Sequence, residues 1–260
     1  MKRAAFLFAL LLFAGVAVPM LLPWRYDLIY WNAIRAAPFT PGHPLGTDGV
    51  GRDLLARTLV GSSVTLGVAF TAALVSLVIG TAYGAIAGWL GGRVDEAMMR
   101  IVDGLYALPF MFVVILLMTM FGRSVLLVFL GIGAVEWLTM ARIVRGQVIT
   151  LKTRGFVEAA RLAGAPSRAI VTGHLLPNLA GVVFAYLMLT VPQVVMVESF
   201  LSFLGLGVQE PLTSLGILVK EGADEMERAP IALLVPGVLL AAIIAGLTLV
   251  ADRLRARIAG

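Results

Sequence analysis

Few groups in this chain are equipped for chemistry, and most of them sit in one stretch. Between Glu158 and Pro177 the order is Glu158-Ala159-Ala160, Gly164 four residues on, then His174 and Leu176-Pro177, with Arg161 and Ala165 inside the stretch. A carboxylate beside two small side chains is poor equipment for catalysis but well suited to being gripped. Glu158 can accept hydrogen bonds from an Arg or from backbone donors of another protein, and Ala159 and Ala160 leave a flat surface beside it. The stretch is polar and basic between long apolar runs, so it must lie outside a bilayer.

What is missing narrows the function. There are no cysteines, which excludes disulfides, thiol catalysis and thiolate metal sites. The two histidines, His43 and His174, are far apart, and no histidine-based metal cluster is expected. A Gly-x-x-x-x-Gly-Lys-Ser/Thr phosphate loop does not occur, and none of the three lysines, Lys2, Lys152 and Lys220, stands in such a setting. The chain cannot hydrolyse ATP by itself. No Ser-His-Asp arrangement is credible, because His43 and His174 fall on opposite sides of a membrane.

The elements that position these residues are transmembrane. The chain has 260 residues, 60% hydrophobic and only 13% charged, against about 25% charged in an ordinary globular domain. Several stretches are long enough to cross a hydrocarbon core of roughly 30 Å as helices, and the alternation of a β-barrel is absent. The fold class is an all-α polytopic membrane protein with six transmembrane helices. The spans are Ala4–Leu22, 62–89, 105–121, 125–141, 178–197 and 230–250. The first follows Lys2-Arg3 and is read as a retained helix, although Gly15-Val16-Ala17 would be a tolerable cleavage site. A short amphipathic helix is expected from Asp53 to Leu59, a charged connection from Gly91 to Arg100, a turn at Gly122-Arg123-Ser124 and a long connection from Glu198 to Ala229. Gly80, Gly84 and Gly88 share one face and suit close helix packing.

Six spans place both termini on one side. That side collects thirteen Lys and Arg, including Arg142, Arg145, Lys152, Arg154, Arg161 and Arg168, and the other collects seven. The bias makes the richer side cytoplasmic, with Glu158 inside and residues 23–58 and 198–229 outside. The net charge of +5 therefore has a membrane reason, and no nucleic-acid partner is implied.

Within residues 150–177, Thr150 to Ala163 is expected to form one helix stopped by Gly164. Pro166 suits the first turn of a second, Ser167 to Gly173. The pattern Glu-Ala-Ala, three residues, Gly, nine residues, an apolar residue, one residue, Leu-Pro resembles the EAA motif of ABC importer permeases. His174 takes the apolar place, and His174-Leu175-Leu176-Pro177-Asn178 is similar to the wording of the dipeptide/oligopeptide/nickel branch. His43-Pro44-Leu45-Gly46-Thr47-Asp48 with Gly51-Arg52-Asp53, Gly91-Gly92-Arg93-Val94-Asp95 with Met99-Arg100, and Glu198-Ser199-Phe200-Leu201-Ser202-Phe203-Leu204-Gly205 resemble three further signatures of that branch, "C" type.

The resemblance implies a type I ABC importer (MetI-like) permease core. Residues 1–60 would hold the first helix and external loop, and 61–260 the permease domain with coupling helices at about 150–176. It implies a homologous permease as heterodimer partner, two cytoplasmic ABC ATPases that bind ATP and Mg, and an external solute-binding protein. No cofactor or metal belongs to this chain itself. The cargo would be a peptide or a related solute such as a nickel chelate or glutathione. The localisation is the bacterial inner membrane, among lipid, with N- and C-termini cytoplasmic.

Four smaller readings complete the set. Pro192 is expected to bend the fifth span and turn Met196, Val197 and Phe200 toward the pathway as a gate, with Glu198 at the water boundary. Glu136 is expected to be interfacial or to pair with Arg142 or Arg145. His43 shapes a turn rather than binding nickel, and Asp48, Arg52 and Asp53 make local ion pairs. The rival to the ABC reading is an ion- or proton-coupled secondary transporter, which would place ionisable residues near the midplane.

Overall fold

The computed structural model describes residues 25–121 and 125–259. The first apolar run and the turn at 122–124 lie outside the described residues. Regular structure among the described residues is helical, apart from two isolated bridges pairing Thr40 with His43 and Thr47 with Asp53.

Helix α1 (Leu54–Leu90) runs for 37 residues, so the separate short helix expected after Asp53 does not exist. Asp53 caps it by accepting the Ala56 N–H at 2.8 Å. Thr58, Ser62 and Ser63 lie where the expected short helix and second span join, and each donates its hydroxyl to a carbonyl three or four residues back. Those bonds make them tolerable inside a helix. At about 1.5 Å per residue α1 spans about 55 Å, so its ends stand clear of a hydrocarbon layer of roughly 30 Å.

The charged stretch after Gly91 is not a loop. It is helix α2 (Gly92–Tyr106), with Val102 buried and most of its charges exposed. Pro109 separates it from α3 (Phe110–Phe121). The two axes, taken from Met111 in α3, meet at 76°, and the expected third span, 105–121, is broken at that bend. Helix α4 (Val125–Lys152) continues past Ala141 to Lys152. It makes the largest helix interface in the molecule, with α1. Gly80, Gly84 and Gly88 form the seam: a methyl on Gly80 would lie 2.6 Å from Met140 Cβ, and one on Gly84 would overlap the Ala141 carbonyl. Close backbone approach without side chains between is how small residues bind helices in lipid.

Beyond α4 come α5 (Gly155–Leu162), α6 (Ser167–Ile170) and a π turn over Val171–Leu175 that leads directly into α7 (Leu176–Phe203). Helix α7 continues through Pro192 and past Val197, so Glu198 to Phe203 are helical rather than part of the external connection. Helix α8 (Leu215–Asp224), capped by Ser214, folds back against α7 and α1, and α9 (Pro230–Ala259) closes the chain. Among the described residues three helical stretches, Leu54–Leu90, Ser167–Phe203 and Pro230–Arg253, are long and apolar enough to cross a membrane, and the bent α2–α3 pair would make a fourth. Only 11% of the α9 window is buried, against 44% for α1, leaving α9 an apolar flank for lipid or another helix.

Two apolar clusters hold the bundle. One joins α1, α3, α4, α7 and α9 around Ala69, Ala72, Ile132, Val191 and Val195. The other lies at the end that carries Glu158 and joins Ala85, Val144, Val148, Val157, Ile170, Leu175 and Leu179.

Candidate functional site

The Glu158 stretch forms a small platform on that second cluster. Helix α5 starts two residues after α4 ends, because the chain breaks at Thr153-Arg154 instead of continuing from Thr150 to Ala163 as expected. The break turns the amphipathic pattern of α5 across the bundle. Val157 is 0% exposed and Ala160 is packed against the cluster, while Glu158, Ala159, Arg161 and Leu162 face outward. Leu162 is 90% exposed, an apolar side chain left open beside the acid. Gly164 adopts φ +78° with open space around it, which is the left-handed stop expected of it. Ala165 returns to the cluster, and its N–H donates to the Ala160 carbonyl at 3.0 Å. Pro166 then precedes α6.

His174 sits exposed in the π turn and Leu176 packs on the cluster. Pro177 falls in the first turn of α7, but α6, the π turn and α7 form one unbroken span, so it does not begin a new one. Asn178 Nδ2 donates to the His174 carbonyl at 2.6 Å and secures the irregular turn. The arrangement offers an outward acid and apolar side chain on a short helix fixed by one buried valine. Nothing in it is placed to move protons or electrons.

The expected gate is only partly assembled. Met196 and Phe200 lie on one face of α7, 60% and 50% exposed. Val197 packs against the core instead. Glu198 is not at a water boundary: it is 0% exposed. The Ser202 hydroxyl donates to its Oε1 at 2.6 Å, with Ser199, Thr65 and Ser214 around it. Pro192 leaves the Met188 carbonyl without its usual helical donor inside a helix that runs on.

At the other end from the platform, residues 25–53 form a cap clamped to α8. Asp48 Oδ1 accepts the N–H groups of Val50 at 3.0 Å and Arg52 at 2.9 Å, and Oδ2 binds Arg52 Nε at 2.8 Å and Arg57 Nη1 at 2.6 Å. Arg57, 2% exposed, also forks onto Glu221 at 2.5 and 3.2 Å. Arg52 reaches Glu210 at 2.8 Å and Arg35 reaches Glu225 at 3.1 Å. Burial pushes the Asp48 carboxyl up, but the Arg52 N–H and the Arg57 and Arg52 charges outweigh it and hold the group below the ordinary carboxylate range. His43 Nδ1 meets Asp53 Oδ2 at 2.8 Å, and its ring stands edge-on to Tyr30, which ties it into the cap. The ion pairs are thus more than local: Arg57 and Glu221 are 164 residues apart. Glu136 takes neither expected partner, since Arg142 binds Asp103 at 2.7 Å and Arg145 binds Asp95 at 2.5 and 2.6 Å.

Residues 80–260 match the family described as binding-protein-dependent transport system inner membrane component. The chain belongs to this family. The permease is 47% identical over 247 residues to the oligopeptide transport system permease protein OppC of Haemophilus influenzae, covering 95% of this chain and 79% of that one. It is 48% identical over 241 residues to OppC of Escherichia coli, covering 92% and 80%. It is 44% identical over 185 residues to the dipeptide transport system permease protein DppC of Bacillus subtilis, covering 71% and 58%. Its fold is similar to a chain in inward-facing structures of the MetNI methionine ABC transporter. The TM-score is 0.62 at 21% identity, covering 78% of this chain and 95% of that chain. Within the family the permease groups with the "C" type subunits of ABC importers. It is a multi-pass inner membrane transport component and not an ATPase, and the ion-coupled carrier reading is set aside.

Proposed function

We propose that this permease forms half of a translocation pathway for oligopeptides or dipeptides, the other half coming from a homologous permease. Peptides are preferred to nickel chelates or glutathione because the relatives are named for oligopeptide and dipeptide transport. In this reading the chain crosses the membrane six times, with both termini and Glu158 in the cytoplasm and the cap outside. Residues 1–60 supply the first helix and cap, and 61–260 the permease domain. Two ATPases grip the α5–α6 platform from below, and ATP and Mg stay with them. An external binding protein delivers cargo to the outer face.

The observation that carries this reading is the platform itself, an exposed Glu158, Ala159 and Leu162 surface on a helix pinned by buried Val157. A solvated connecting loop would need no such pin. The Met196–Phe200 face belongs to the pathway or its seam with the partner. The test is uptake of a labelled peptide by vesicles holding both permeases and both ATPases, with the binding protein outside. Uptake that requires ATP and persists when the proton gradient is collapsed supports the reading. Uptake that follows the gradient and ignores ATP overturns it.

A further inference from the structure

Helix α5 is covalently continuous with α4, through Thr153-Arg154. Its link to α1 runs through the shared apolar cluster, to which α1 brings Ala85 and Trp89, and at the outer turn of α5 through Trp89. Trp89, at the end of α1, is half-buried and packs on the cluster that holds Val157. Two cations reach it from either side of α5. Lys152, the last residue of α4, donates its Nζ to the Trp89 carbonyl at 2.5 Å and lies 5.6 Å from the indole centre. Arg161, in the last turn of α5, places its guanidinium 5.0 Å from the same ring. A cation at a helix C-terminus is favoured by the unpaired carbonyls there, and a guanidinium over an indole face is favoured by the ring quadrupole. Trp89 therefore joins three elements at one point: the end of α1, the end of α4 and the outer turn of the platform helix.

This contact sits where motion would have to be passed on. The glycine seam packs α1 tightly on α4 as far as Gly88, where Val148 and the Arg145 carbonyl lie against it. One residue later the seam ends and Trp89 takes over. We infer that Trp89, held by Lys152 and Arg161, is the transmission joint that makes α1 follow the platform helix when the ATPases move it. Trp89 is a positioning residue: it acts through α5. Without the joint, α5 can swing on the Thr153-Arg154 break while α1 stays put. The inference rests on the platform being the ATPase grip, and it adds how that grip reaches a span.

The test uses the whole complex in vesicles, with peptide uptake and ATP hydrolysis measured together. Trp89→Leu keeps an apolar filler and removes the π face; Trp89→Phe keeps a ring. Trp89→Leu is expected to leave ATPase co-purification and hydrolysis in place while uptake per ATP falls roughly tenfold, a size typical of coupling between sites. Trp89→Phe is expected to recover most of it. Uptake per ATP within about twofold of the parent in Trp89→Leu overturns the joint, as does a loss that Trp89→Phe does not recover. Glu158→Lys serves as the separate control. If it loses the ATPases, the grip holds and the Trp89 result judges the joint alone; if it keeps both ATPases and uptake, the grip itself has failed.

Discussion

The two ends of this permease are built on opposite principles. At the cap end the central charges are buried and satisfied: Arg57 of α1, at 2% exposure, bridges Asp48 and Glu221, and Glu198 of α7, at 0%, is enclosed by hydroxyls. At the platform, charges are exposed and the deep anchors are apolar, Val157 and Ile170. A buried ionic network resists displacement, because removing one partner strands the other charge away from water. Helix α5 is short and has one buried side chain, Val157, with Trp89 beside its outer turn. In the proposed function the cap holds a shape and the platform is pulled.

Reversing the charge of the platform should have the largest effect. Glu158→Lys or Gly164→Asp leaves every span intact, so insertion and yield should match the parent while peptide uptake is abolished. A charge forced into a docking contact costs about 2–5 kcal/mol, roughly 30-fold or more in affinity. Gly164→Asp adds strain, since φ +78° disfavours any side chain. Wild-type uptake in the full complex would remove the platform from the coupling path.

At the cap the expected damage is to stability. Arg57→Ala removes a buried guanidinium from between Asp48, which keeps Arg52, and the part-exposed Glu221, and should cost about 1–3 kcal/mol as a lost charged hydrogen-bond partner, read as a lowered melting temperature of the purified complex. By contrast, Arg100→Ala on α2 removes only an exposed pair with Glu96 and should cost no more than about 1 kcal/mol. Equal losses at the two positions would erase the distinction between the ends.

The cap should also show its own pH limit. Asp48 is held below its ordinary 3.8, so its contribution is complete above that value and is lost as pH falls through its lower folded value. Melting of the complex should therefore be insensitive to Asp48 from neutral pH down to about 4. Asp48→Asn should flatten the loss seen in stronger acid. A parent and Asp48→Asn that fall together throughout would mean the carboxylate is not what acid attacks.

The smallest effect is expected at α7, where labelling distinguishes surface from core. Single cysteines at Met196 and Phe200 should react with a polar maleimide, and a cysteine at Glu198 should not. Trapping ATP should change the reactivity at 196 and 200. Uniform labelling in both states would leave that face as a static seam with the partner.

Much of the platform was legible because its signals are local. The spacing from Glu158 to Pro177 and the stop at Gly164 follow from a few neighbouring residues, as does the glycine seam at 80, 84 and 88. Other features were hidden by composition. Glu198, Ser199 and Ser202 look like the start of a loop, yet they are buried polar residues satisfied inside a helix. The charges of α2 look like a connection because its apolar face is narrow. The Arg57–Glu221 bridge and the Trp89 contacts with Lys152 and Arg161 join residues far apart in the chain, and no local pattern announces them. The split of the expected 150–163 helix at Thr153-Arg154 had one local signal, Gly155, which a helical pattern also tolerates.

The claim at the centre is that α5 is where the ATPases grip. The chain has no native cysteine, so single cysteines at Glu158, Ala159 and Leu162 can be paired by oxidation with a cysteine scanned along an ATPase surface in the assembled complex. A disulfide-linked permease–ATPase band from these positions, absent for a cysteine at Glu225 beside the cap, is the result the account predicts. Linkage from no α5 position, in complexes that still take up peptide, would contradict it.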